Sequence, residues 1–209
     1  MGIMTNRVLV RKSHDSKGFF IDKSFEPEKH AQTSAEVLGV CSDLFFSYDD
    51  IYGSSLIYKT DNELRVGDIV YFHYLCTLRA KKDGVMFADE FYLRYDDIFC
   101  LKRDGELIML NGWILVEAEF KKPVSLFDIR TKEESENQGT IRHIGSCNTG
   151  YLEGEGKVDL DIFNVGDIVY FGSEDAIPIE YYNFNKTLDK GKNTFYRMQR
   201  PDILGKLTT

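Results

Sequence analysis

The side chains that most often perform chemistry in proteins are few and scattered in this sequence. The four histidines form no H-E-x-x-H motif or other metal-ligand spacing, so surface or loop histidines are predicted. The four cysteines contain no C-x-x-C pair, and two of them lie in apolar strand-like stretches, which favours buried reduced thiols over a metal or redox site. These residues are His14, His30, His73, His143, Cys41, Cys76, Cys100 and Cys147.

Acidic clusters offer a second kind of chemistry, acid–base catalysis or cation binding. Asp49-Asp50 and Asp96-Asp97 are more simply turn residues than catalytic carboxylate pairs. The acidic residues from Glu153 to Asp161 lack the ligand spacing of an EF-hand loop, and a solvated hairpin explains them. The glycine-rich motifs of dinucleotide and P-loop enzymes are also missing. The sequence therefore predicts no enzyme, no cofactor and no metal site.

The charge and hydropathy pattern limits the partners. A net charge of −8 argues against binding to nucleic acid or to an anionic membrane, because both need a basic face. The opening residues 1–10 carry no apolar run of signal-peptide length, and no later stretch approaches the roughly 20 apolar residues of a membrane span. We expect a cytoplasmic protein whose partners are other proteins.

The most suggestive segment for binding runs from Ser13 to Ala35, between two predicted strands. Loops of this length without regular structure are usually functional or disordered. After a polar start and Gly18 it places Phe19, Phe20 and Ile21 in a row, where a solvent-exposed loop would not hold them. These side chains either pack onto their own domain or order on the apolar groove of a partner. In the second case each loop binds weakly, and several must act together.

A repeated phrase reveals how the chain is organised. The heptapeptide VGDIVYF occurs at residues 66–72 and again at 165–171, an offset of 99 (165 − 66). Flanking blocks recur in the same order, and Val8-Leu9-Val10 matches Ile114-Leu115-Val116 at an offset of 106 (114 − 8). We predict two tandem copies of one domain, residues 1–104 and 105–209.

Short β-branched and aromatic runs bounded by turn residues predict an all-β protein, with each copy a partly closed β-barrel or sandwich. The two copies meet at Asp104-Gly105, which lies between two apolar runs. This dipeptide is the strongest short signal for a hairpin, because a type I′ turn needs positive φ at both central residues. Arg103 should face Glu106, and the last strand of copy one should pair with the first strand of copy two, coupling the halves rigidly.

Both copies resemble the GroES-type co-chaperonins. The segments that carry the resemblance are NRVLVRK, SKGFFID, TSAEVLGV, LRVGDIVYF and YLRYDDIFCL in copy one, with NVGDIVYF and FYRMQRPDILGKL in copy two. Copy two matches less well between Glu119 and Gly139, where it keeps the length of the loop and one apolar cluster. The resemblance implies two tandem GroES-like barrels joined by a β-hairpin.

The resemblance also implies a function and its residues. The protein would be a non-enzymatic lid that binds a chaperonin ring through apolar loops and assists protein folding. Gly18, Phe19, Phe20 and Ile21 would form the contact. Copy two would supply a second loop, and sheet edges would meet between chains of a homo-oligomer. The second loop is Leu126, Phe127 and Ile129, and the edges are Val8, Leu9, Val10, Ile203 and Leu204.

A different class of function stays open. Residues 41–64 are longer than the hairpin of the family and carry the aromatic residues Phe45, Phe46, Tyr48, Tyr52 and Tyr58. Exposed aromatic side chains often mark a protein interface. The alternative is a structural or assembly protein, for instance one associated with a viral capsid and located in the virion, that uses two GroES-like barrels as building blocks.

Overall fold

The computed structural model has one chain, Met1–Thr209. The residues that the structure describes are 6–12, 34–42, 44, 46–49, 55–58, 62–73, 75–120, 134–146, 162–172, 177–178 and 195–207. They form two compact units, one up to Asn111 and one from Gly112 onward.

Unit one is built on a seven-stranded antiparallel sheet with the strand order β6-β7-β1-β2-β5-β8-β9. Buried and partly exposed residues alternate along β1 and β2, as expected of strands with one face on a core. The strands are β1 Arg7–Lys12, β2 Ser34–Gly39, β5 Ile69–Phe72, β6 Met86–Phe87, β7 Glu90–Arg94, β8 Ile98–Arg103 and β9 Glu106–Met109.

Two further elements of unit one lie outside this sheet. Strands β3 (Phe46–Asp49) and β4 (Ser55–Tyr58) pair only with each other, as a two-stranded antiparallel ribbon. An eight-residue helix, α1 (Leu75–Lys82), follows β5 and places Cys76, Thr77 and Ala80 on its buried side.

Unit two has a six-stranded antiparallel sheet in the order β13-β14-β10-β11-β12-β15. Its strands are β10 Trp113–Phe120, β11 Glu134–Ile144, β12 Ile168–Phe171, β13 Ile177–Pro178, β14 Phe195–Gln199 and β15 Ile203–Lys206. The chain is therefore mostly β, with two large antiparallel sheets, and the prediction of an all-β chain is confirmed at that level.

The two sheets repeat each other strand for strand. If β9 is set aside, the order in sheet one maps one to one onto the order in sheet two. A 3₁₀ turn precedes β8 and its counterpart β15, at Tyr95–Asp97 and Arg200–Asp202. Irregularities in strand pairing also recur at matched places. They are the register shifts at Leu9/Val10 and Leu115/Val116, and at Tyr71/Phe72 and Tyr170/Phe171.

The duplicated VGD sequence forms the same turn twice. Gly67 and Gly166 adopt φ values of 95° and 96°, which glycine tolerates and residues with a Cβ rarely do. The following carboxylates, Asp68 and Asp167, each accept a hydrogen bond of 2.7 Å from the backbone N–H three residues earlier. The glycine allows the positive φ of the turn, and the aspartate accepts the hydrogen bond of a backbone N–H. These two requirements explain why both residues occur in both copies.

The predicted hairpin at Asp104-Gly105 is confirmed. Both residues have positive φ, 52° and 87°, and Arg103 lies opposite Glu106. The strand after the turn, β9, belongs to the sheet of unit one, so the hairpin lies within that unit and the expectation that it joins the two copies is wrong. The boundary between the units therefore lies at Asn111 and Gly112, seven residues beyond the one expected from the repeat (111 − 104), because β9 adds to the first core before the chain enters the second.

Gly105 gives the first testable prediction. Replacing Gly105 by Val should destabilise unit one by about 2 kcal/mol, because left-handed backbone costs a residue with a Cβ about 1–2 kcal/mol and a β-branched one more. Gly105→Asn is the matched control, since asparagine tolerates this conformation in type I′ turns. Urea denaturation of both variants measures the difference, and equal midpoints would contradict the strain argument.

One predicted edge is wrong. Val8, Leu9 and Val10 were expected to form an unpaired sheet edge, but β1 is an interior strand that pairs with β2 on one side and β7 on the other. Both Val8 and Val10 are fully buried. The repeat could not reveal this, because the residues that pair with β1 are at least 23 positions away along the chain (35 − 12). By contrast, β15, which contains Ile203 and Leu204, pairs with β12 alone among the described strands.

Candidate interaction site

The two apolar segments predicted to bind a partner lie outside the described residues. These are Gly18, Phe19, Phe20 and Ile21 in unit one, and Leu126, Phe127 and Ile129 in unit two. The strands that flank them are described. Lys12 at the end of β1 lies opposite Ala35 of β2, and Phe120 at the end of β10 lies opposite Glu134 of β11. Each segment therefore joins two adjacent antiparallel strands at an equivalent place in its unit.

The base of the first segment is held by the neighbouring hairpin. The Lys12 N–H donates to the Asp89 carbonyl at 2.8 Å, and the Arg11 guanidinium forms an exposed ion pair with Glu90 at 2.9 Å. The hydrogen bond to Glu90 raises the pKa of Arg11, against the opposing effect of burial. In unit two, Arg142 and Glu117 form an ion pair across β10 and β11. Both segments thus leave their sheets from fixed strand ends.

The open edge of unit two is the part of the predicted site that the structure describes best. In unit one, β9 covers β8, and Phe99 on β8 is 1% exposed. Leu204 occupies the equivalent position on β15 (204 − 99 = 105) and is 74% exposed. The tyrosines of the repeated phrase differ in the same sense, since Tyr71 is 7% exposed and Tyr170 is 39% exposed. Unit two therefore presents to solvent an apolar strand edge that unit one has covered.

Ion pairs at the repeated aspartates differ between the units. In unit one, the buried Asp68 carboxylate accepts two hydrogen bonds from Arg103, at 2.8 and 2.6 Å, and Arg103 also donates to the Glu63 carbonyl. In unit two, the Lys206 ammonium lies 2.6 Å from Asp167. Burial alone would raise the pKa of Asp167, but the bonds from Lys206 and the Asn164 N–H hold it below its ordinary value. Arg103 therefore ties the β8–β9 hairpin to the duplicated turn.

Glu63 extends this network toward the end of unit one. Its carboxylate accepts a hydrogen bond from the Tyr95 hydroxyl at 3.3 Å and one from the Asn111 N–H at 3.4 Å. Burial, followed by the charge of Glu63, raises the pKa of the Tyr95 phenol. The last residues of unit one are thus hydrogen-bonded to its core.

The adjacent aspartates Asp96 and Asp97 form ion pairs within the fold. Asp96 and Asp97 lie in the 3₁₀ turn before β8 and pair with Arg94 and Arg79 respectively. Burial and then the neighbouring Asp96 raise the pKa of Asp97, while the two arginines oppose them. In the described part of the chain, no three His, Cys, Asp or Glu side chains lie together as metal ligands would.

The histidines and cysteines in the described part of the chain also have structural surroundings: a hydrogen bond at a helix start, a strand position, and buried sites. The His73 Nδ1 accepts the Leu75 N–H at 3.3 Å, next to the start of α1. His143 lies on β11, where burial lowers its pKa. Buried thiols outside disulfides are found at Cys41, Cys76 and Cys100.

The sequence reasoning missed helix α1. Only two turns long, it shows too little periodicity to be recognised, although the run of helix-forming residues from Leu78 to Lys82 was a signal. Like the rest of the described residues, it offers no helix long and apolar enough to cross a membrane.

Within the described residues, these features define a mostly β protein with two topologically equivalent units, two inserted segments at equivalent places, and an edge strand, β15, whose counterpart β8 is covered by β9. The sequence gives no match with protein-family models and no significant match with curated proteins.

Proposed function

We propose that the protein is a co-chaperonin-like lid, a non-enzymatic partner that binds a chaperonin ring through its two apolar segments. Each unit would be a GroES-like barrel, with Phe19, Phe20 and Ile21 as the principal contact. The protein needs no cofactor for this role. It only has to bind the chaperonin ring, and the cycle of the chaperonin brings about its dissociation.

The observation that carries the proposal is the equivalent placement of the two segments. Neighbouring antiparallel strands can be joined by two to five residues. Residues 13–33 and 121–133 instead put long insertions between β1 and β2 and between β10 and β11. Each insertion contains a cluster of large apolar side chains. Two copies of one feature on one chain suit a multivalent binder, whose sites are weak singly and strong together.

Capture of a chaperonin tests the proposal directly. The tagged full-length protein should retain a purified seven-subunit chaperonin ring in the presence of ATP, and release it when nucleotide is removed. Retention that is independent of nucleotide would indicate adhesion of an apolar surface. The absence of capture at micromolar concentrations of both proteins would overturn the lid proposal.

The same proposal includes a homo-oligomer formed through β15. In unit one β9 covers β8, whereas β15, the counterpart of β8, pairs with β12 alone among the described strands, so β15 is the edge that a second copy would cover. This replaces the expectation that β1 itself forms the joint. A strand edge left uncovered exposes backbone donors and acceptors and promotes association.

Leu204→Lys tests this joint. The substitution should leave the fold intact, because Leu204 is exposed, but should dissociate the oligomer by placing a charge on the edge that must be covered. Sedimentation velocity at micromolar concentration measures the change. Val165→Lys is the matched control, since Val165 is exposed in the turn before β12 and is not a residue of β15. A wild-type protein that is already monomeric would refute the joint.

A structural or assembly protein is the second candidate. The ribbon β3–β4 and helix α1 are additions that the described part of unit two lacks, and they favour a partner surface of another kind. Oligomers that form normally but capture no chaperonin would support this candidate over the lid.

A further inference from the structure

Asn111-Gly112 is the one place in the sequence where glycine follows asparagine. The side-chain amide of an asparagine is attacked most readily by the backbone nitrogen of a following glycine, because glycine has no side chain that hinders the approach. Asparagine is for this reason among the thermolabile residues of proteins. The sequence therefore marks this pair as the position of the chain that is most prone to deamidation.

The structure holds the pair in a tight turn at the end of unit one. Asn111 and Gly112 have positive φ values of 48° and 77°, as Asn-Gly pairs have in type I′ turns. They lie between the end of β9 at Met109 and the start of β10 at Trp113. Unit one ends at Asn111. The chain thus continues from this unit through a backbone conformation that few residues other than asparagine and glycine adopt.

The fold opposes the reaction at both of the groups that take part in it. The Gly112 N–H, whose nitrogen is the attacking atom, donates to the Ser146 carbonyl at 2.8 Å. Asn111, which carries the amide under attack, is 2% exposed, and its own N–H donates to the Glu63 carboxylate at 3.4 Å. The attacking nitrogen must lose its proton and turn toward the side chain, so this hydrogen bond and the burial both have to be given up first.

Once the turn is open, the reaction needs only water. The deprotonated Gly112 nitrogen attacks the Asn111 Cγ, and the new C–N bond closes a succinimide ring. The bond from Cγ to the side-chain nitrogen breaks, and that nitrogen leaves as ammonia with the proton that the backbone gave up. Water then opens the ring at either of its carbonyl carbons, which gives aspartate or isoaspartate. The net change is the exchange of ammonia for water.

Either product is incompatible with the closed turn. The new carboxylate would return to a buried position beside the Glu63 carboxylate, and burying a second negative charge there is strongly unfavourable. Isoaspartate also adds a methylene group to the backbone, inside a turn whose two residues have fixed positive φ. A chain that has reacted should therefore not close this turn again.

We propose that Asn111-Gly112 is a protected modification site: the folded chain prevents its deamidation, and an opening of the turn that lasts long enough for reaction becomes permanent. The modified chain carries one additional negative charge and an altered backbone at the end of unit one. This site is independent of the binding role proposed above, because no residue of the two apolar segments takes part in the reaction.

The rate of deamidation with and without native structure tests the protection. The full-length protein is kept at mildly alkaline pH in buffer and, in parallel, in guanidinium chloride, and peptide mapping by mass spectrometry follows the exchange of ammonia for water. Conversion of Asn111 should be at least about tenfold faster in the denaturant, because only the opened turn reacts. Asn164, which is exposed and precedes Val165, is the internal control and should convert more slowly than Asn111 in the denaturant. Equal rates for Asn111 in buffer and denaturant, or equal rates at the two asparagines in denaturant, would overturn the proposal.

Removal of the denaturant tests whether the opening is permanent. Ion exchange separates the reacted chains, which carry the additional negative charge, from the unreacted ones. After refolding, hydrogen exchange in β8 and β9 should be at least about tenfold faster in the reacted chains than in the unreacted ones. Asn111→Asp should show a similar loss of protection, whereas Asn111→Gly keeps the positive φ, adds no charge and should refold fully. Reacted chains that regain the protection of the Asn111→Gly variant would show that the modification does not hold the turn open.

Discussion

Replacing Phe19, Phe20 and Ile21 together by Ser should abolish the capture of a chaperonin ring while leaving the melting temperature almost unchanged. A single well-packed hot-spot side chain is worth about 2 kcal/mol or more, and a ring of linked sites multiplies the loss. The free energy of unfolding should change by no more than about 0.5 kcal/mol, since in the lid proposal these side chains contact the chaperonin and not their own unit. Nucleotide-dependent capture and calorimetry on the same samples measure both effects.

A matched variant separates loss of this contact from loss of apolar surface in general. Val66→Ser with Val165→Ser removes two exposed apolar side chains from the duplicated turns and should leave capture intact. The triple change Leu126→Ser, Phe127→Ser and Ile129→Ser asks whether the second segment binds as well. A large fall in melting temperature for the Phe19 variant would show that its side chains pack on their own unit.

The largest effect on stability is expected from Asp68→Ala. Asp68 is 4% exposed and holds the Arg103 guanidinium with two hydrogen bonds, while also accepting the Arg65 N–H. Removing one partner of a fully buried ion pair costs about 3–5 kcal/mol. Arg103 is 20% exposed and keeps its hydrogen bond to the Glu63 carbonyl, so the loss should lie near the lower end of this range. Arg103 links β8 and β9 to the duplicated turn. The backbone amides of these strands should therefore lose protection from hydrogen exchange.

The duplication supplies the control for this prediction. Asp167→Ala removes the equivalent carboxylate in unit two, whose partner Lys206 is more exposed than Arg103. Exposed pairs contribute about 0–1 kcal/mol, and one hydrogen bond about 1 kcal/mol, so the loss should be far smaller. Hydrogen exchange reports each unit separately. Equal losses in the two units would contradict the assigned role of Asp68.

Features that depend on neighbouring residues could be predicted from the sequence. The exact recurrence of seven residues indicated a duplication, and the Asp104-Gly105 turn and its register follow from the requirement for positive φ. The short β-branched and aromatic runs predicted strands, since such residues fit a pleated, half-buried surface. Helix α1 was missed because two turns give too little periodicity.

Tertiary structure decided which strands lie at the edges. Sequence shows that Val8 and Leu204 are strand residues, but only pairing across long separations makes β1 an interior strand and leaves β15 with one described neighbour. The pairing of β9 with β8 also places β9 in the sheet of unit one. Equivalent residues such as Phe99 and Leu204 differ in exposure for the same reason, because burial depends on which strand lies alongside and no local pattern encodes a neighbour that is distant in the chain.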